Sequence, residues 1–224
     1  MNRIILFFRA RDPTRVKTRL AAEVGVEAAL AIYRGTLADL WSIARDLEGV
    51  VPYSDREAVE PWPGLEDLAA RARHQRGATL EQRMDNAFAD AWEEGVERAV
   101  LVGSDIPGLN AADTARALES LKDRKAVIGP SADGGYYLIG FTHASYQSRF
   151  VLATAGNRAV TPFEQVIRGL QSGGVTWETL PELNDVDTAA DVRAVYARGQ
   201  GNHPAFDAAV RQFAAQVVPA EDSE

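Results

Sequence analysis

The chain has no cysteine among its 224 residues and only three histidines, His74, His143 and His203. Disulfides, iron–sulfur clusters and thiolate zinc sites are therefore excluded. No histidine pair has the helical spacing of a zinc site. Long apolar runs are missing too: no window approaches the roughly 18–20 apolar residues that span a bilayer. The opening run, Met1-Asn-Arg-Ile-Ile-Leu-Phe-Phe-Arg9, lacks the small-residue cleavage site of a secretory leader. A cytoplasmic protein without membrane contact is expected. Positive charge is in short supply, with 24 Lys and Arg against 32 Asp and Glu and a formal charge of −8. Nucleic-acid binding needs a broadly basic surface, so no nucleic-acid partner is expected. Neither a Ser/His/Asp nor a Cys/His nucleophile set is visible, and there is no Gly-x-x-x-x-Gly-Lys-Ser/Thr loop.

What is present can fill a core: 46% of the residues are hydrophobic, and a chain of this size buries about 70% of its unfolded surface. Residues 3–9 form a continuous apolar run, the pattern of a strand buried on both faces. From Leu20 to about Arg45, Ala29, Ile32, Tyr33, Leu37, Leu40 and Trp41 fall at helical spacing. Further strands are expected at 49–54, where Pro52 weakens the pattern or marks its end, and at 97–102, 126–129, 135–141 and 175–180. Helices are expected near 65–72, from Thr79 to Glu94 with a Thr79/Gln82 capping box, and over 111–121, 161–170 and 188–197. Strand and helix alternate as in an α/β/α three-layer sandwich around a mainly parallel sheet. Residues 1–198 read as one nucleotide-binding transferase domain. Residues 199–224 read as a C-terminal extension, partly helical over 206–217, loosely packed and ending in an acidic tail.

Three segments carry chemistry. In Val100-Leu-Val-Gly-Ser-Asp105-Ile-Pro-Gly-Leu109 an apolar strand delivers a carboxylate to a Pro-Gly turn, the edge at which open α/β folds bind ligands. Asp105 can also be read as a turn former before the next helix. In Asn184-Asp-Val-Asp187, positions two apart share a face, so Asp185 and Asp187 can address one pocket while Val186 enters the core. Asp187 can also interact with the N-terminus of the helix that follows. The opening loop concentrates Arg9, Arg11, Arg15, Lys17 and Arg19 around a single acid, Asp12, which suits a compact anion such as a triphosphate. Two acids and a cationic loop point to a divalent metal with a polyphosphate, because a hard cation such as Mg²⁺ takes one or two carboxylates plus phosphate oxygens. In Asp133-Gly-Gly-Tyr-Tyr137 the glycines admit close backbone approach. Asp133, Gly134, Gly135 and Tyr136 are candidates to hold an acceptor hydroxyl, against a tight turn with aromatic core filling. Ser104 and the helical Arg83 are further candidate phosphate contacts.

These segments, with Leu80 to Met84, Gly129 to Gly140 and Leu180 to Thr188, follow the order of the DUF2064 group. The chain resembles this arsenosugar-biosynthesis glycosyltransferase-like branch of the nucleotide-diphospho-sugar transferase superfamily over residues 3–197. More distantly it is similar to the 2-phospho-lactate guanylyltransferases around Lys17 and to the molybdenum-cofactor guanylyltransferases around Asp187-Thr-x-x-Asp191. The resemblance implies a GT-A-like fold, a nucleotide donor, a Mg²⁺ or Mn²⁺ ion at Asp105 joined by Asp187, and Lys17 on the phosphates. The sequence departs from the group at three places. Asp12-Pro-Thr-Arg15 replaces a Pro-Gly loop, Ala78-Thr-Leu-Glu81 replaces Gly-Asp-Leu-Gly, and Ala155-Gly-Asn-Arg-Ala159 replaces a Trp-Ser-Thr-like motif.

The first expectation is a metal-dependent transferase that moves a nucleotidyl group from a nucleoside triphosphate to a small anionic acceptor and releases pyrophosphate. Lys17, Asp105 and Asp133 would form its catalytic set, with Arg11, Arg15, Lys17, Arg19, Arg83 and Ser104 on the nucleotide and Asp105 and Asp187 on the metal. The second is a glycosyltransferase using a nucleotide-sugar. The third, motivated by the departures, is a protein that binds a nucleotide without turnover. Pro61-Trp-Pro-Gly64 could cover a ligand or a neighbouring subunit, which leaves a homodimer open.

Overall fold

A computed structural model describes residues 1–147, 160–199 and 203–217. Seven strands form one sheet in the order β3-β2-β1-β4-β6-β5-β7. They are β1 (Asn2–Phe8), β2 (Val50–Ser54), β3 (Arg73–His74), β4 (Arg98–Gly103), β5 (Ala126–Pro130), β6 (Tyr136–Thr142) and β7 (Trp177–Thr179). Every pairing is parallel except those of β6 with β4 and β5. The mainly parallel expectation therefore holds for a mixed sheet with one reversed strand. The two-residue β3 was not legible as a strand. Pro52 sits inside β2 opposite Leu6. It is tolerated because β3 pairs only with Tyr53 and Ser54, so no ladder bond is demanded of the missing N–H on that side.

Alternation along the strands separates two cores. Ile4, Leu6, Phe8, Val100, Val102 and Val127 face one layer, which contains Tyr33, Leu37, Leu40, Trp41, Leu68 and Leu121. Ile5, Phe7, Ala99, Leu101, Ala126 and Ile128 face the other, with Met84, Phe88, Val166 and Leu170. The helices are α1 (Thr18–Val24), α2 (Val26–Ala44), α3 (Glu66–Arg71), α4 (Leu80–Glu93), α5 (Ala111–Ser120), α6 (Pro162–Ser172), α7 (Ala189–Gly199), α8 (Pro204–Gln212) and α9 (Ala214–Val217).

Two expectations change. The single helix from Leu20 to Arg45 is broken at Gly25, whose φ of 85° lies in the region that glycine occupies without a Cβ penalty. The C-terminal stretch is not loosely packed. Phe206 and Val217 are fully buried and join Leu20, Ile32, Val186 and Val192 in a third core. Asp39 on α2 accepts the Ala205 and Phe206 N–H groups at 3.0 and 2.9 Å, anchoring the start of α8. The amphipathic pattern was weak because α8 is short. Its apolar face is nevertheless wholly covered.

Candidate active site

β1 and β4 are parallel neighbours, with Phe7 opposite Gly103, and β2 lies on the other side of β1. The residues after Phe8 and after Gly103 therefore emerge side by side, where crossovers diverge and α/β sheets open a crevice. The reversed β6 brings its first residue, Tyr136, to the same edge, since Leu138 pairs with Val102.

One buried phenol ties these strand ends together. Tyr33 OH accepts the Arg9 N–H at 2.8 Å and lies 2.8 Å from Ser104 Oγ. Burial, with the Asp105 charge adding to it, pushes the Tyr33 hydroxyl far above its ordinary value, so it stays neutral and available for both bonds. Asp105 follows immediately. Its carbonyl accepts the Val186 N–H at 3.3 Å, which draws the second acidic segment across the sheet edge. That segment is also held by a bridge between Ser131 and Leu183 and by the buried Val186 in the third core. Asp185 and Asp187 flank this anchor. The start of α7 is capped reciprocally: Thr188 Oγ1 accepts the Asp191 N–H at 3.2 Å, and Asp191 Oδ2 accepts the Asp187 and Thr188 N–H groups at 3.1 and 2.8 Å.

Lys17 completes the group. It lies between buried Val16 and Leu20 and has φ 49° and ψ 47°, the only positive φ of a non-glycine residue among the described residues. Its ammonium stands 3.0 Å from Asp105 Oδ1 and 3.0 Å from Asp187 Oδ1, with only 6% of the side chain exposed. Burial alone would depress the ammonium, but Asp105 and Asp187 outweigh it and hold it above the usual lysine value. Burial likewise opposes the Asp187 charge, and Lys17 and Arg19 reverse that, leaving Asp187 below the usual carboxylate range. Asp185 goes the other way, raised by burial and by the neighbouring Asp133 and Asp187 charges.

Two cavities meet here. One of about 420 Å³ is lined by Phe7, Arg9, Gln75, Arg83, Met84 and Tyr136 among others, and one of about 240 Å³ by Arg15, Lys17, Arg19 and Asp187; Arg9 and Asp105 line both. Ser104 and Gly135 also face the larger. The Ser104 hydroxyl joins the strand ends through Tyr33 while its residue faces this cavity. Three expected residues lie elsewhere. Arg11 is paired with Glu60 at 2.6 Å and lines neither cavity, as do Asp133 and Gly134. Asp133 Oδ1 accepts Ser131 Oγ at 2.6 Å and the Gly135 N–H at 2.8 Å, the local turn-forming bonds that aspartate favours.

Some lining residues were not read from the sequence. Gln75 is buried, and its amide donates to the carbonyls of Phe8 and Tyr53 at 3.2 and 2.9 Å. Asp55 accepts the Ala10 N–H at 2.8 Å. Both fix the loop leaving β1, and neither belongs to a local pattern. Arg9 was legible as the cation ending an apolar run. At the departure in 78–81, Thr79 Oγ accepts the Gln82 N–H at 3.3 Å, the N-cap role an aspartate also serves. Gln82 in turn takes the Ala78 N–H at 2.9 Å. The 155–159 departure lies outside the described residues.

Among the described residues no group of three or more His, Cys, Asp or Glu side chains is placed to hold a metal. A divalent ion on a polyphosphate, however, takes only one or two protein carboxylates. The residues fit that demand. Asp105 and Asp187 already share one cation, and Asp105 Oδ1 is out of water without an aligned hydrogen bond. No helix among the described residues is long and apolar enough to cross a membrane.

The family described as "Uncharacterized protein conserved in bacteria (DUF2064)" matches residues 46–155. The chain is 24% identical over 196 residues to the 2-phospho-L-lactate guanylyltransferase of Methanothermobacter thermautotrophicus, covering 85% of this chain and 82% of that protein. A crystal structure from Desulfovibrio desulfuricans G20, assigned as a nucleotide-diphospho-sugar transferase, superposes with a TM-score of 0.85 at 28% identity over 96% of both chains. The 4-diphosphocytidyl-2C-methyl-D-erythritol synthase of Anaerococcus prevotii shares the fold at a TM-score of 0.55 and 14% identity, over 88% of this chain and 96% of that one. The chain is thus similar to the DUF2064 family through its middle, and over nearly its whole length to a structure of the nucleotide-diphospho-sugar transferase group.

Proposed function

We propose that the chain is a transferase that moves a nucleotidyl group from a nucleoside triphosphate to a small anionic acceptor, releasing pyrophosphate. The observation that carries this reading is the convergence of Lys17, Asp105 and Asp187 at the 240 Å³ cationic cavity, which shares Arg9 and Asp105 with the 420 Å³ cleft. The larger cleft, with Gln75, Met84 and Tyr136 in its walls, suits a base and ribose. The smaller, with Arg9, Arg15, Lys17 and Arg19, suits phosphates. Nucleotidyl transfer is mostly positioning and neutralisation of charge on nonbridging oxygens.

Arg9 and Arg15 are exposed at the rim and would orient the β- and γ-phosphates. Lys17, fixed at its base by Val16 and Leu20, would meet the α-phosphate. Asp105 and Asp187 would hold Mg²⁺ or Mn²⁺, which supplies a Lewis acid on the phosphate oxygens. An acceptor oxygen forms the new bond to the α-phosphorus as the bond to the bridging α–β oxygen breaks, and pyrophosphate leaves with that electron pair. On this reading residues 1–198 are the transferase domain and the protein works in the cytoplasm.

One observation favours a second reading, transfer of a sugar from a nucleotide-sugar: the 28% identity with a structure assigned to the nucleotide-diphospho-sugar transferases. A single assay separates the two. The protein is incubated with Mg²⁺, each nucleoside triphosphate or nucleotide-sugar, and an extract of small acceptors. Pyrophosphate release supports nucleotidyl transfer, and nucleoside diphosphate release replaces it with glycosyl transfer. Thermal stabilisation by nucleotide without product would make the chain a binding protein. Asp105→Asn should abolish metal-dependent turnover with the fold intact, and retained turnover would remove Asp105 from the site.

A further inference from the structure

We infer that the Lys17 ammonium is a placeholder in the metal position, shutting the divalent ion out until a donor's phosphates draw the lysine away. The inference rests on the nucleotide-binding reading above and adds an order to it: the metal enters with the donor and not before it.

The argument begins with charge. Asp105 and Asp187 contribute two negative charges at this sheet edge. Lys17 stands 3.0 Å from an oxygen of each, and Arg19 pairs with the other oxygen of Asp187. The four side chains sum to zero. A divalent ion added to them would meet a neutralised cluster and a fixed cation at its centre, and like charges a few ångströms apart in a half-buried site repel strongly. The ion can bind well only if the ammonium leaves.

Leaving requires a new counter-charge. The Lys17 side chain is only 6% exposed, and a buried ammonium without its partners is strongly disfavoured. The smaller cavity offers the destination. It runs from Lys17 to Arg9 and Arg15, which form no ion pair among the described residues, so a polyphosphate seated there would take the ammonium as its third or fourth cation. The backbone is consistent with a two-position device. Lys17 holds a left-handed conformation, which side-chain-bearing residues adopt only where their surroundings over-determine it. Here the surroundings are the buried anchors Val16 and Leu20 and the two carboxylates.

The test uses the full-length protein and Mn²⁺ as the probe, read by loss of the free-ion electron paramagnetic resonance signal. Without nucleotide, Lys17→Met should bind Mn²⁺ at least about tenfold more tightly than wild type, a coupling of ordinary size. A saturating α,β-methylene triphosphate analogue, with its own chelation of Mn²⁺ measured in protein-free titrations and subtracted, should tighten Mn²⁺ binding to wild type by a similar factor and to Lys17→Met by much less. The inference is overturned if Lys17→Met binds the bare ion no better than wild type, or if wild type binds it equally well with and without analogue. Should Lys17→Met fail to fold, the two wild-type titrations decide alone. Should no triphosphate analogue bind wild type, the nucleotidyl reading falls, and the nucleotide-free comparison of the two proteins still decides the placeholder.

Discussion

The Tyr33 hydroxyl lies 2.8 Å from Ser104 Oγ and accepts the Arg9 N–H at 2.8 Å, so one side chain of α2 clasps the ends of β1 and β4. Arg9 and Asp105 border both cavities, and each adjoins an atom of this clasp. Tyr33→Phe keeps the ring in the core and deletes both bonds. A buried polar group left unpaired costs about 1–3 kcal/mol. In a domain of this size each kcal/mol lowers the melting temperature by about 2–4 °C. Calorimetry should therefore show a fall of several degrees, with a larger relative loss of turnover because the two loops move apart. An unchanged melting temperature would mean that the clasp contributes nothing.

A pH-dependent gain in stability is expected from Asp185→Asn. The Asp185 carboxyl is held above the usual carboxylate range, first by burial and then by the Asp133 and Asp187 charges. A carboxyl raised on folding binds protons more tightly in the folded state, so its ionisation destabilises the fold at neutral pH. The penalty fades as pH falls below the ordinary carboxylate value, where folded and unfolded chains are both protonated. Asp185→Asn should thus melt higher than wild type at pH 7 and alike at pH 3. Asp187 has the opposite sign: held below the usual range, it stabilises the fold at neutral pH and loses that contribution on acidification. Asp187→Asn should melt lower at pH 7. Urea melts of both variants across this range check the two signs together.

The C-terminal helices should prove necessary to the site they never enter. Phe206 is fully buried in the core that also contains Leu20 and Val186. Leu20 is three residues from Lys17, and Val186 separates Asp185 from Asp187. Removing a buried phenylalanine side chain costs about 3–5 kcal/mol. Phe206→Ala should lower stability by that order in denaturant titration. Below the melting transition it should also weaken triphosphate binding, because the Lys17 loop and the acidic segment share this support. Full binding in a destabilised Phe206→Ala protein would show that the third core bears on stability alone.

The sequence exposed these features unevenly, for physical reasons. β1, β4 and β5 are covered on both faces, so their apolar runs stood out, and their ends pointed to Asp105. The reversal of β6 could not be read, since an apolar run carries no direction. The break at Gly25 hid inside a helical period that continues on both sides of it. Lys17 and Asp187 were legible as charges beside turns, whereas the Asp133 carboxylate is occupied by the turn it makes. Tyr33 was hidden by its ring, which fits the buried face of α2 as any aromatic would. Its hydroxyl matters only once β1 and β4 are side by side. Gln75 had no local signal at all, because its carbonyl partners lie on two other segments.

Two arginines four residues apart give the sharpest contrast. Arg15 is exposed and makes no ion pair among the described residues, and it borders the 240 Å³ cavity with Lys17 and Arg19. Arg11 is paired with Glu60 and borders neither cavity. Arg15→Ala should leave the melting temperature unchanged, because exposed side chains without partners add little to stability. It should weaken triphosphate binding about tenfold, the size of one lost charge-assisted contact, and flatten the salt dependence of that binding. Arg11→Ala should do neither, since an exposed ion pair is worth about 0–1 kcal/mol. Titration of both variants with a triphosphate at two salt concentrations reads all of these outcomes. Equal losses in the two variants would mean that the opening loop acts through its overall charge, with no phosphate seat at Arg15.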